Sequence, residues 1–332
     1  MDENQQKVVE LDRKFCELMQ DVSECSIGLA VSGGGDSMSL LVMASKWAYQ
    51  FRKDLKVVTI DHHLRADSRI EADHVKIKAE SLGHSHDILD WRYESTTGNF
   101  QAAASKARKQ LISTWAKEKF IHTVLLGHTA DDQAETFLMR LARGSGVDGL
   151  ACMNRSKKLY GIEWFRPLLS FQREDLRYYL KFQNIKWFDD PSNENTRYTR
   201  IKARKVLKEL EILGLKQRVF LETAEKMDKA KEVLNDAARE AGEQYLRLRE
   251  WGDIEVDKKL FEVTRHETYL RLLAHIIKFI SGNIYRTRFS ELDKFTSALI
   301  EPKFKARTIG GVIARSLDEK TIAVSYTHLT LP

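Results

Sequence analysis

Apolar positions in the first 190 residues fall into two alternating textures. Short continuous runs rich in Val, Ile and Leu occur at 27–31 (IGLAV), 55–61 (LKVVTID), 86–91 (HDILDW) and 122–127 (HTVLLG). Between them, at 37–52, 69–82, 100–120 and 131–142, apolar residues recur at three- and four-residue spacing. The first texture predicts buried strands and the second amphipathic helices. Strands separated by helices of this length predict βαβ units, a parallel sheet and right-handed crossovers. Residues 162–188 add one more strand–helix unit, with Ser170 as its expected N-cap.

After DDPSNENTRY (189–198) the texture changes. Residues 200–250 read as long, highly charged helix, and 258–300 keep a helical period. The expected fold class is therefore α/β: a doubly wound, mainly parallel sheet over residues 1–215, then a smaller, mostly helical domain over 216–325. The end of the chain, SYTHLTLP, matches nothing before it, and 326–332 are set aside as a tail compatible with a vector or assembly remnant.

At 332 residues, 42% hydrophobic and 31% charged, the chain can bury a large core, and it offers no uncharged apolar run long enough for a membrane span. Its three cysteines, Cys16, Cys25 and Cys152, form no CxxC pair, which argues for a reducing, cytoplasmic setting and against structural zinc. Net charge is +6, and the distribution says more than the total: RYTRIKARKVLK (197–208) holds six Lys/Arg and no acid. A phosphate-rich partner and a plain solvated helix face both fit that run.

Candidate chemistry concentrates at strand exits. The first strand runs into Ser32-Gly33-Gly34-Gly35-Asp36-Ser37 and leaves as a helix. Such a turn presents backbone N–H groups to an anion. It lacks the lysine of a Walker loop and the glycine spacing of a dinucleotide fingerprint. A tight turn in which Asp36 or Ser37 merely caps the helix is the plainer alternative.

At the exit of the fourth strand, GHTADDQAET (127–136) places His128 before a helix whose Thr129 and Asp132 fit a capping box. Asp132 and Glu135, three apart, share a helical face. In a doubly wound sheet both exits can face one crevice. A third exit, DHHLR (61–65), has adjacent histidines, but neighbours on an extended chain point opposite ways, which disfavours a metal there.

The string SGGGDS after an apolar strand resembles the PP-loop of the ATP-pyrophosphatase enzymes, which cleave ATP between its α- and β-phosphates. With DHHLR, GNFQAAASKAR, GHTADDQAET, RGSGVDGL, RPLL and DDPSN followed by two arginines, in this order, residues 24–210 resemble the tRNA(Ile)-lysidine synthetase family, and KARTIGG (305–311) weakly resembles its substrate domain. The resemblance implies ATP with Mg²⁺ on Asp36, and a pyrophosphate seat of Ser32, Gly33, Gly34, Gly35, Asp36 and Ser37. It implies Asp36, His128, Asp132 and Arg200 as the catalytic set, and Glu135, Arg108 and Arg204 directed at lysine and tRNA. The partners it implies are tRNA(Ile) with a CAU anticodon and free L-lysine, with no membrane; a homodimer is compatible with it.

The implied reaction adenylates the C2 carbonyl oxygen of the wobble cytidine and releases pyrophosphate. The lysine ε-amine then displaces AMP to give lysidine, switching codon reading from AUG to AUA. Two motifs depart from the family. Where it often reads N-x-Q-E-A-A-R-x-A-R-Y, this chain has Ala102, Ser105 and Lys109, so that only Arg108 carries over; where it reads R-N-x-I-R, Ile201 replaces the asparagine between Arg200 and Arg204. A thiolating PP-loop enzyme is disfavoured by the missing paired cysteines, and a non-catalytic nucleotide or tRNA binder by the intact acidic and arginine set.

Overall fold

The computed structural model describes residues 2–63, 68–91, 100–189, 199–283 and 287–327. Leu64 and Arg65 of DHHLR, Asn99, residues 190–198 and the last five residues lie outside these. Two compact units emerge, Met1–Lys226 and Met227–Pro332.

The larger unit opens with helix α1 (Glu3–Leu18), unannounced by the charged N-terminal sequence. Its Val8, Leu11 and Phe15 still lie three and four apart and form one buried stripe, and Asp2 caps it by accepting from the Gln5 N–H at 2.7 Å. There follow β1 (Ser26–Ala30), α2 (Gly35–Phe51), β2 (Asp54–Asp61), α3 (Ser68–Ser81), β3 (Ser85–Asp90), α4 (Phe100–Glu118), β4 (Thr123–Leu126) and α5 (Ala130–Leu141), each close to its expected place. Then come the short α6 (Val147–Leu150), β5 (Ser156–Leu159), β6 (Ile162–Phe165), α7 (Arg173–Phe182), α8 (Thr199–Glu211) and the first turns of α9 (Gln217–Tyr245), whose remainder belongs to the smaller unit.

Strand order is β3-β2-β1-β4-β6-β5, parallel except for the β5/β6 hairpin. The unpredicted β5, SKKL, is a largely exposed edge strand whose lysines discourage further pairing. From β1 the chain moves one way to β2 and β3, and later returns to the other side of β1 with β4. That reversal makes the β1/β4 border the topological switch point, where open α/β sheets place ligands. Helix α2 leaves from this point buried on most of its circumference, packed with α1, α7 and the sheet around Leu40, Leu41, Phe171 and Tyr179.

Helix α7 does not start at Ser170. Its N-cap is Gln172, without a side-chain bond, and the Arg173 N–H is met instead by the Asp131 carboxylate of α5 at 2.8 Å. The long charged helix expected over 200–250 is also broken, by the turn around Gly214 between α8 and α9.

The smaller unit carries its helices α10 (Lys259–Val263), α11 (His266–Ser281) and α12 (Phe289–Ile300) together with a sheet that the helical periodicity hid. Five short antiparallel strands, β7 (Leu246–Leu248), β8 (Ile254–Asp257), β9 (Ala306–Ile309), β10 (Val312–Ser316) and β11 (Thr321–Tyr326), run in the order β7-β8-β11-β10-β9. Leu270, Leu273, Ile277 and Phe295 pack with Val312 and Val324 in one core. Tyr326, assigned from sequence to the tail, pairs with Val312 and completes β11. No helix among the described residues is long and apolar enough to cross a membrane.

Gly127, just past β4, lets the two ligand-facing turns meet. A Cβ there would stand 3.1 Å from Ser37 Cα and 3.2 Å from the Asp36 carbonyl carbon and oxygen. Those neighbours are backbone and yield little. Gly127→Ala is therefore expected to destabilise the protein by about 1–3 kcal/mol in urea unfolding; a loss under about 0.5 kcal/mol would show that the turn gives way freely.

Candidate active site

Between β1 and α2 the chain turns at Gly33, whose φ of +85° lies where side-chain-bearing residues rarely go. The N-cap of α2 is Gly34, so its first N–H groups receive no side-chain cap. An uncapped helix start offers donors and the positive end of the dipole to an anion. Asp36 and Ser37 are therefore not the caps that the plainer reading of this turn required. Ser37 is buried and shapes the loop: its Oγ donates to Gly34 O at 2.9 Å, accepts from Ser32 N at 3.1 Å and lies 3.2 Å from Ser32 Oγ. The Phe188 N–H ties the loop from outside by donating to Gly33 O at 3.0 Å.

Three acids meet beside this loop around one guanidinium. Arg173 Nε donates to Asp36 Oδ2 at 2.9 Å, Nη2 to Asp132 Oδ1 at 3.3 Å and Nη1 to Glu135 Oε1 at 3.4 Å. Glu135, only 1% exposed, also takes Arg204 Nε and Nη2 on Oε1, each at 2.9 Å, while its Oε2 is buried with no hydrogen-bond partner. Burial pushes the Asp36 carboxyl up, and Arg173 offsets this only in part, leaving its pKa raised. Burial pushes Asp132 up as well, but there Arg173, His128 and the Thr129 N–H prevail and hold it below the usual carboxylate range.

The expected capping box on α5 is present. Asp132 Oδ2 accepts from Thr129 N at 2.8 Å and Thr129 Oγ1 at 3.0 Å, and the Asp132 N–H reaches back to Thr129 Oγ1 at 3.4 Å. The box fixes the Asp132 rotamer, so capping and site chemistry share one side chain. His128 lies at the exit of β4 with its Nδ1 buried and unpartnered. Burial, reinforced by the charges of Arg166, Arg200 and Arg108 and opposed by Asp132, lowers its pKa to about 4.

Arg108 and Arg200 are exposed, and neither forms an ion pair among the described residues; what the structure brings together is their positive field, with that of Arg166, on His128. At the third exit the chain is not extended as expected, since His63 has a φ of +49°, and its two histidines have different partners. His63 Nε2 pairs with Asp90 Oδ1 at 2.7 Å, and its N–H donates to Asp61 Oδ1 at 2.9 Å, whereas His62 sets its ring against Trp91.

The PP-loop domain family matches residues 7–210. Curated tRNA(Ile)-lysidine synthases align over most of the chain: that of Ruegeria pomeroyi is 40% identical over 82% of this chain and 65% of its own length. Those of Wolbachia pipientis and Orientia tsutsugamushi are 36% and 31% identical, over 90% and 91% of this chain and 70% and 71% of theirs. The chain belongs to the tRNA(Ile)-lysidine synthase family. It spans about two thirds of the length of these relatives. A U34-tRNA thiolase, NcsA from Methanococcus maripaludis, has the same fold at a TM-score of 0.60, with 16% identity over 68% of this chain and 79% of that one.

Within this lysidine synthase framework the departure at Ile201 has a packing reason, since the side chain is buried on α8. Two residues escaped the sequence reading. Arg166, directly after β6, donates to Asn154 O at 2.9 Å and adds its charge near His128. Arg173 is the hub of the acids, and the available signal was its place: a cation in the first turn of a helix opposes the macrodipole.

His128 is expected to stay a neutral imidazole from pH 8 down to about pH 5, because its folded pKa lies well under the ordinary 6.5. NMR titration of its ring signals checks this, and a midpoint near 6.5 would contradict it.

Proposed function

We propose that this chain carries out lysidine formation: ATP-dependent ligation of L-lysine to C2 of the wobble cytidine of a tRNA(Ile) with a CAU anticodon. The observation that carries the reading is the meeting of Asp36, Asp132 and Glu135 at the switch point, beside the uncapped start of α2. In this reading residues 1–215 hold the catalytic site, 216–325 serve the tRNA, and the reaction takes place in the cytoplasm. A homodimer is compatible with it.

In the first step the C2 carbonyl oxygen of the cytidine attacks the α-phosphorus of ATP and pyrophosphate departs. The N–H groups of Gly35, Asp36 and Ser37 at the start of α2 receive the charge that builds on the leaving oxygens. Arg108, Arg166 and Arg200, whose charges converge on His128, favour the adenylate. His128, neutral in that field, adds no further repulsion among the three arginines.

A hard divalent cation prefers one or two carboxylates plus phosphate oxygens. Asp36 fits: Arg173 occupies its Oδ2, and no described hydrogen bond occupies Oδ1. When bound there, Mg²⁺ neutralises phosphate charge.

In the second step the lysine ε-amine attacks C2 and AMP leaves. With a reference pKa near 10.4, presenting the neutral amine at pH 7 costs roughly 4.6 kcal/mol. The lowered pKa of Asp132 makes it a weak proton acceptor, so its stronger contribution is to orient the ammonium. Proton loss to a carboxylate becomes favourable once the C–N bond forms and the nitrogen turns acidic. Glu135 Oε2, buried and without a partner, is a second seat for the ammonium.

Incubation with ATP, labelled lysine and tRNA(Ile) is expected to place label in the tRNA and release pyrophosphate. Asp36→Asn is expected to lower pyrophosphate release about a hundredfold or more. Modification that proceeds without lysine, or without pyrophosphate release, overturns the reading.

A further inference from the structure

We propose that Arg173 is a positioning residue that locks the nucleotide half of the site to the lysine half; this rests on the reading above. Its guanidinium divides three nitrogens among three acids from two elements: Nε to Asp36 in the first turn of α2, and Nη2 and Nη1 to Asp132 and Glu135 on α5. Its own N–H is held by Asp131, so backbone and side chain both dock on α5. Without this cation, three partly buried carboxylates would repel one another.

The local sequence argues that stability of α7 is not the reason for the residue. A cation at the first helical position opposes the macrodipole, and Gln172 offers no side-chain cap in compensation. Arg204 also binds Glu135, but its side chain is 36% exposed against 15% for Arg173, and it reaches Glu135 alone among the three acids. Arg204 can therefore yield to an incoming substrate while Arg173 keeps the frame. Only a planar fork reaches three acids at once; a lysine ammonium on a flexible stem is a single point charge. By fixing Asp36 relative to Asp132 and Glu135, Arg173 holds the attacking amine in line with the adenylated C2, the kind of alignment on which rate depends steeply.

Three measurements on Arg173→Lys and Arg173→Ala test this. In lysidine formation, both variants are expected to raise the KM for lysine about tenfold or more, as loss of charge-assisted hydrogen bonds does, with the melting temperature within about 4 °C of wild type. Methylguanidinium is expected to restore lysine KM in Arg173→Ala, because the missing group is replaced without its tether. In the substrate-free protein, amide hydrogen exchange over residues 128–132 is expected to speed up in Arg173→Ala as Asp132 loses its second partner. An unchanged lysine KM, a loss that methylguanidinium does not restore, or unchanged exchange at these amides overturns the proposal. Should wild-type protein incorporate no lysine, the functional reading fails, and the exchange result decides the role of Arg173 by itself.

Discussion

Carboxylates gathered in a half-buried crevice must be given a cation, and that requirement organises this site. Asp36, Asp132 and Glu135 arrive from two separate strand exits, and burial disfavours the charge of Asp36 and Asp132. Arg173 satisfies all three from the start of α7, and Arg204 adds a second guanidinium at Glu135. The arrangement depends on α7 being anchored by Asp131 and on Gly127 leaving room for the Asp36–Ser37 backbone. Charge, cap and close packing therefore meet within a few residues.

The opposite sign gathers beside it. Arg108, Arg166 and Arg200 face no acid of their own among the described ion pairs, and burial, reinforced by their field, keeps His128 neutral. A crevice with an acidic side for cations and a cationic side for phosphates suits a reaction that joins an ammonium-bearing substrate to a phosphate-activated one. The uncapped start of α2 lies where the acidic turn and the sheet meet, so leaving-group charge can be received by backbone dipoles fixed in advance.

Much of the larger unit was legible along the chain because parallel strands buried on both faces read as continuous apolar runs, and their crossover helices as clean amphipathic periods. IGLAV, HTVLLG and the helices after them needed no tertiary information. The smaller sheet was not legible: strands such as ARTI and LRL are short, largely exposed and set among strong helical periods. Helix α1 was missed because its buried stripe is narrow and surrounded by charge. Ser170 misled for a related reason, since a good capping residue in sequence loses to a carboxylate brought by another helix.

The α/β class, the glycine turn with its missing lysine and the Thr129–Asp132 capping box could be read along the chain, because each depends on neighbours a few residues away. The tertiary structure alone decided which cation serves those acids. Arg173 lies 137 positions from Asp36 and 38 from Glu135, and only the parallel sheet, closing β1 against β4 and carrying the chain on to α7, puts them within hydrogen-bonding distance. A side chain's electrostatic role is set by what the fold brings within a few ångströms, and that neighbourhood is not written in sequence order.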